Sequence, residues 1–151
     1  MNIISDSSER TRAIGKKIAG KVKPGDIICL FGELGSGKTV LAKGIASGLG
    51  IEKSRVISPS FVLLRQHLKG RLPLYHFDLY RLKSCEDIQA AGYEEYLFGQ
   101  GVSVIEWADR LKYLLPKEFL KIELRVAGAS QRMLKLIPVG ARYKDLIKGL
   151  R

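Results

Sequence analysis

The chain is 151 residues long, 46% hydrophobic and 27% charged, with a formal net charge of +11 at neutral pH. A single domain of that size buries about two-thirds of the surface its unfolded form would expose, so it needs no disulfide framework. No apolar run approaches the roughly 20 residues of a membrane span, and the N-terminus "MNIISDSSER" lacks the basic start and long apolar core of a secretory signal, which leaves a cytoplasmic protein as the expectation.

The charge is unevenly spread. Residues 1 to 56 carry ten basic and five acidic side chains, residues 57 to 109 five and seven, and residues 110 to 151 eleven and three. The basic tail suits RNA or an acidic protein patch, and suits a plain solvated surface equally well. Cys29 and Cys85 form no CxxC pair, consistent with a reducing compartment or simple packing. No repeat, low-complexity tract or Pro/Ser-rich linker divides the chain, so residues 1–151 are read as one domain.

Asp6 and Glu9 stand at capping-box spacing, and Ile14, Ile18 and Val22 recur every fourth residue. This predicts a helix over 7–22, stopped by Pro24 and Gly25. "DIICLF" is a short, continuously apolar run, the pattern of a strand covered on both faces. From Gly37 the period becomes helical through Leu41, Ile45 and Leu49, with Gly50 beyond the end. "SFVLLRQH" and "LPLYHFDLY" predict strands around a turn at Lys69 and Gly70, and Ser84 with Asp87 opens a short helix that Gly92 ends. "GVSVIEW" predicts another buried strand. Leu120, Ile122, Leu124 and Val126 then alternate with charged residues, and a turn at "AGAS" leads into "QRMLKLIPV", an antiparallel hairpin expected to close the sheet. A last helix carries Tyr143, Leu146, Ile147 and Leu150 on one side.

"GELGSGKT", Gly32 to Thr39, matches GxxxxGK[ST] in full, after an apolar strand and at the start of a helix. Glycines let successive amide N–H groups point inward, and the helix N-terminus adds partial positive charge for phosphate. The expected nucleotide contacts are Glu33, Leu34, Gly35, Ser36, Gly37, Lys38, Thr39 and Val40, with Lys38 on the β- and γ-phosphates and the Thr39 hydroxyl on Mg²⁺. No NKxD-type guanine-reading motif or DxxG element follows, so ATP is favoured over GTP.

A metal held by Thr39 needs a strand-end carboxylate, directly or through water. Asp78 ends "LPLYHFD" and Glu106 ends "VSVIE", each at the C-terminal edge of a predicted strand, where ligands bind in open α/β sheets. Asp78 is assigned to Mg²⁺ coordination and Glu106 to the metal's water shell or to orienting the attacking water; the residues themselves do not decide which does which. Lys38, Asp78 and Glu106 form the expected catalytic set. His76 alternates in phase with Asp78 and is read as a packed or hydrogen-bonded histidine. Arg81 has two readings, charge for the phosphates or pairing with Glu86 or Asp87, and the pairing is favoured. Trp107 is expected at the mouth of the pocket, beside the nucleotide or simply packed.

Together, "PGDIICLFGELGSGKT", "ISPSFVLL", "YHFDLYRL", "AGYEEYLFG" and "VSVIEWADRL" resemble, in order and spacing, the TsaE (YjeE) ATPases from about Ser5 to Leu115. The resemblance implies a three-layer α/β P-loop fold with a mostly parallel central sheet. It also implies ATP hydrolysis with Mg²⁺ and work with TsaD and TsaB in making threonylcarbamoyladenosine on tRNAs that read codons starting with A. It places Lys38 and Thr39 on phosphate and metal, Asp78 in a switch-like segment, Glu106 as the Walker B-type carboxylate and Trp107 near the nucleotide. Ser60 replaces the threonine of the family's "SPTF" segment at Ser58 to Phe61, and Val40 replaces a frequent second threonine. A small-molecule P-loop kinase would use the same loop, but no arginine-rich lid is visible; a nucleotide-dependent binding module with slow hydrolysis is the third reading.

Overall fold

Continuously apolar runs need cover on both faces, and this chain supplies it with one seven-stranded sheet between two helical layers. The computed structural model describes residues 1–52 and 63–150. The strands are β1 (Asn2–Ser5), β2 (Ile27–Phe31), β3 (Leu64–His67), β4 (Leu74–Asp78), β5 (Val102–Glu106), β6 (Phe119–Val126) and β7 (Arg132–Val139). The helices are α1 (Ser8–Ala19), α2 (Lys38–Gly48), α3 (Cys85–Ala90), α4 (Glu94–Leu97) and α5 (Ala141–Lys148), with a 3-10 segment, Ala108–Leu114, broken at Lys112.

The strand order is β1-β7-β6-β2-β5-β4-β3. β6, β2, β5 and β4 are parallel, and the outer pairs on both sides are antiparallel. Side chains alternate across the sheet. On one face Ile28, Leu30, Val104 and Ile122 pack with Ile14 and Ile18 of α1, Leu41 and Ile45 of α2, and Leu146 of α5. On the other, Cys29, Phe77 and Ile105 pack with Ile88 of α3, Leu97 of α4 and Leu111 of the 3-10 segment. Cys29 is fully buried at the sheet centre; Cys85 is buried on α3, its thiol donating to the Leu111 carbonyl.

α1 and α2 lie against each other at backbone distance. A Cβ on Gly44 would stand 2.4 Å from the Arg12 carbonyl oxygen, and one on Gly15 would stand 2.6 Å from the Leu41 carbonyl oxygen. Only residues without a side chain permit that approach, and it fixes the axis of α2, whose first turn carries Lys38 and Thr39.

Several expectations need correction. The cap of α1 is Ser7, whose side chain accepts from the Arg10 N–H, not Asp6; the helix ends at Ala19, so Val22 lies beyond it although it remains in the core. The hairpin β6–β7 does not close the sheet, because β1 adds a further strand against β7. Val126, expected inward, is 58% exposed at the end of β6. Ser84 does cap α3, accepting from the Asp87 N–H. The short helix α4 and the 3-10 segment were not expected. Ser58 to Phe61, including Ser60, lie outside the described residues.

Candidate active site

β2 ends at Phe31, and the loop of Gly32 to Gly37 leads directly into α2. Gly37 has φ of 104°, a left-handed conformation costly for any side-chain-bearing residue, and it turns the chain so that α2 starts at Lys38. The first-turn N–H groups of α2 have no carbonyl partner within the helix and so point outward as donors.

Lys38 is buried. Its ammonium donates to the carbonyls of Gly32 (2.5 Å) and Glu33 (2.8 Å) and lies 4.0 Å from the centre of the Trp107 ring. Burial lowers the Lys38 pKa, an effect opposed by Glu106, Asp109 and Asp78. The ammonium is thus held by loop carbonyls and an aromatic face, partners that an anion with several oxygens can displace.

Parallel register makes Asp78 and Glu106 direct neighbours at the ends of β4 and β5, so both carboxylates leave the sheet at one edge on one face. The Thr39 hydroxyl donates to Glu106 Oε1 at 2.6 Å, tying the first turn of α2 to the end of β5. The other oxygen, Oε2, is 2.5 Å from His76 Nε2. Asp78 Oδ1 accepts from the Tyr80 N–H at 2.9 Å, and the Tyr80 ring lies 5.0 Å from that of Trp107.

A cavity of about 620 Å³ collects Leu34, Gly35, Gly37, Lys38, Thr39, Val40, Asp78, Glu106 and Trp107. Its size is that of a small-molecule site. Glu33 and Ser36 do not line it; they face a neighbouring groove with Glu123 and Arg125, and they serve Lys38 instead through the Glu33 carbonyl and the Ser36 hydroxyl. Arg81 lines the cavity, a position that accords with the reading in which it supplies charge to phosphates.

Sequence reasoning missed Ser7, Ser8 and Thr11 from the start of α1, Tyr80, and Ala129, Ser130 and Arg132 from the hairpin turn, all of which line the same cavity. Tyr80 lies within the "YHFDLYRL" motif without having been singled out; no motif marks the residues from α1 and the hairpin turn. Their signal is only that β1 pairs with β7, which brings the start of α1 to the tip of the hairpin.

The donor set fits a hard divalent cation: Thr39 Oγ1 and two carboxylates supply oxygen only, open to a cavity with room for phosphate. Among the described residues no three His, Cys, Asp or Glu side chains gather into an all-protein metal cage. Mg²⁺ sites built on one or two carboxylates plus phosphate do not need one.

The family model for "Threonylcarbamoyl adenosine biosynthesis protein TsaE" matches residues 5–134. The chain belongs to the TsaE family. A TsaE protein of Bacillus subtilis is 43% identical over 142 residues, covering 94% of this chain and 88% of the relative. One of Treponema pallidum is 41% identical over 132 residues, covering 87% and 96%. The crystal structure of Bacillus subtilis YdiB superposes with a TM-score of 0.87 at 39% identity, over 99% of this chain and 93% of that one. The TsaE match extends past Leu115 into the hairpin, where sequence motifs alone had run out. No described helix of this TsaE-family chain is long and apolar enough to cross a membrane.

Proposed function

We propose that the chain binds ATP with Mg²⁺ at the Lys38–Thr39–Glu106 site and hydrolyses it to ADP and phosphate. We further propose that it does so as the ATPase component of tRNA threonylcarbamoyladenosine (position 37) modification, with TsaD- and TsaB-type proteins. The observation that carries the catalytic reading is the contact of the Thr39 hydroxyl with Glu106, because it joins the phosphate loop to a strand-end carboxylate at one point. The pathway reading is supported by the shared name of its relatives.

Lys38 leaves the Gly32 and Glu33 carbonyls to meet the β- and γ-phosphates, while the first-turn amides of α2 hold the β-phosphate. Bound Mg²⁺ supplies charge neutralisation on the phosphate oxygens. Thr39 and Asp78 hold its position; Glu106 orients the water that attacks the γ-phosphate and accepts its proton. Trp107, on the far side of Lys38, walls the pocket. tRNA is engaged through the partner complex, in the cytoplasm.

Measuring ATP turnover with and without TsaD, TsaB and substrate tRNA tests both levels. The expected result is weak hydrolysis alone, raised by the partners. Absence of a partner effect would overturn the pathway reading, and phosphate appearing on a small acceptor in place of free phosphate would favour a kinase.

A further inference from the structure

We infer that His76 is a positioning residue for the reaction: its Nε2–H holds one oxygen of Glu106 so that the other stays turned to Thr39 and the metal position. The inference rests on the nucleotide reading of the site.

His76 and Glu106 are each 1% exposed, and of the two only Glu106 lines the cavity. β4 and β5 run parallel with His76 opposite Val104 and Asp78 opposite Glu106. His76 therefore sits one pleat below the carboxylate, on the same face, and its ring reaches up to Oε2 from the side of the core. A buried carboxylate oxygen without a donor is strongly disfavoured, so removing the ring leaves Glu106 to rotate from its place. That rotation spoils a group whose task is to face Thr39 and water.

A carboxylate oxygen held in this way needs a donor, so the inference requires a proton on Nε2. Glu106 thereby has one oxygen committed to each neighbour: Oε2 to His76, and Oε1 to the Thr39 hydroxyl at 2.6 Å. This is the arrangement by which an outer partner orients a carboxylate near a metal, and loss of such partners typically lowers affinity or activity about 10- to 100-fold.

Two measurements test this. In the protein without nucleotide, the imidazole ¹H–¹⁵N spectrum is expected to show His76 protonated at Nε2, with a resonance that moves in Glu106→Gln. In the second, His76→Ala, His76→Gln and wild type are titrated with Mg²⁺ while ATP turnover is followed, and ATP binding in EDTA is followed by Trp107 fluorescence. The expected result is unchanged ATP affinity in EDTA for all three, a 10- to 100-fold fall in turnover with a higher Mg²⁺ requirement for His76→Ala, and partial rescue by His76→Gln, whose amide N–H stands near the lost Nε2–H. A His76 resonance with no proton on Nε2, or one indifferent to Glu106→Gln, overturns the inference whatever the nucleotide does. Wild-type Mg²⁺ dependence in His76→Ala also overturns it, leaving the nucleotide reading intact. A wild-type protein that neither binds nor hydrolyses MgATP overturns both.

Discussion

Glu106 ends a strand in which every residue is buried, and its carboxylate is itself buried yet fully engaged by Thr39 and His76. Replacing it with Gln preserves shape and the contact to Thr39 while removing the charge and the base. Glu106→Gln is expected to retain ATP affinity and lose turnover by about 100-fold or more, read by single-turnover hydrolysis beside a binding titration. Unchanged hydrolysis would take Glu106 out of the mechanism. This residue was legible in the sequence because a charge terminating an apolar run has few innocent explanations once a phosphate loop precedes it. His76 was legible as a packed or hydrogen-bonded side chain, which it is, but not with its partner. Alternation placed it on the Asp78 face, but its reach to a neighbouring strand depends on register, and register is a tertiary fact.

At the scale of elements, the contact of α1 with α2 at Gly15 and Gly44 sets where the phosphate loop's helix lies. Helix propensity alone would make Gly44→Ala stabilising by about 1 kcal/mol. The 2.4 Å clash with the Arg12 carbonyl reverses the sign, since the obstacle is backbone and overpacking costs about 1–3 kcal/mol. Urea denaturation should show Gly44→Ala less stable than wild type by up to about 2 kcal/mol after the propensity gain is subtracted; an equal or higher midpoint would mean that α1 yields freely. Elements with strong periodicity, β2, α2, β5 and the β6–β7 hairpin, stood in the sequence where the structure has them. β1 did not. Four residues carry too little pattern to read, and what makes them a strand is pairing with β7 at the other end of the chain. The cavity-lining Ser7, Thr11 and Arg132 were hidden for the same reason.

The whole molecule is tied together by α5, whose Tyr143 hydroxyl accepts the Ile27 N–H at 2.8 Å where β2 begins. Burial pushes the Tyr143 phenol up to about 12. An ordinary tyrosine ionises near 10. The raised value means that this contribution to stability is fully present below pH 10 and is lost as pH rises from about 10 through 12, because the unfolded chain releases its proton first. Stability measured from pH 8 to 11.5 should fall more steeply for wild type than for Tyr143→Phe, which itself costs about 1–3 kcal/mol at neutral pH by leaving the Ile27 N–H without its acceptor. Parallel pH curves would refute the assignment. The exposed charges of the basic final third are expected to contribute to assembly. Charge reversal at Arg125 and Lys144 should weaken binding to a TsaD–TsaB complex on the order of tenfold at low salt and converge with wild type at high salt, with intrinsic ATPase unchanged.

The two cysteines provide a pair of clocks for how this fold opens. Burial pushes the Cys29 thiol far above its ordinary range, and its side chain lies on the sheet face covered by α3, α4 and the 3-10 segment, so a thiol reagent reaches it only when that whole layer lifts from the sheet. Cys85 needs only α3 to lift from the 3-10 segment that follows Trp107. Labelling that modifies Cys85 well before Cys29 would show α3 lifting from the 3-10 segment while the rest of the layer still covers the sheet. Simultaneous labelling would show that the layer leaves the sheet as one.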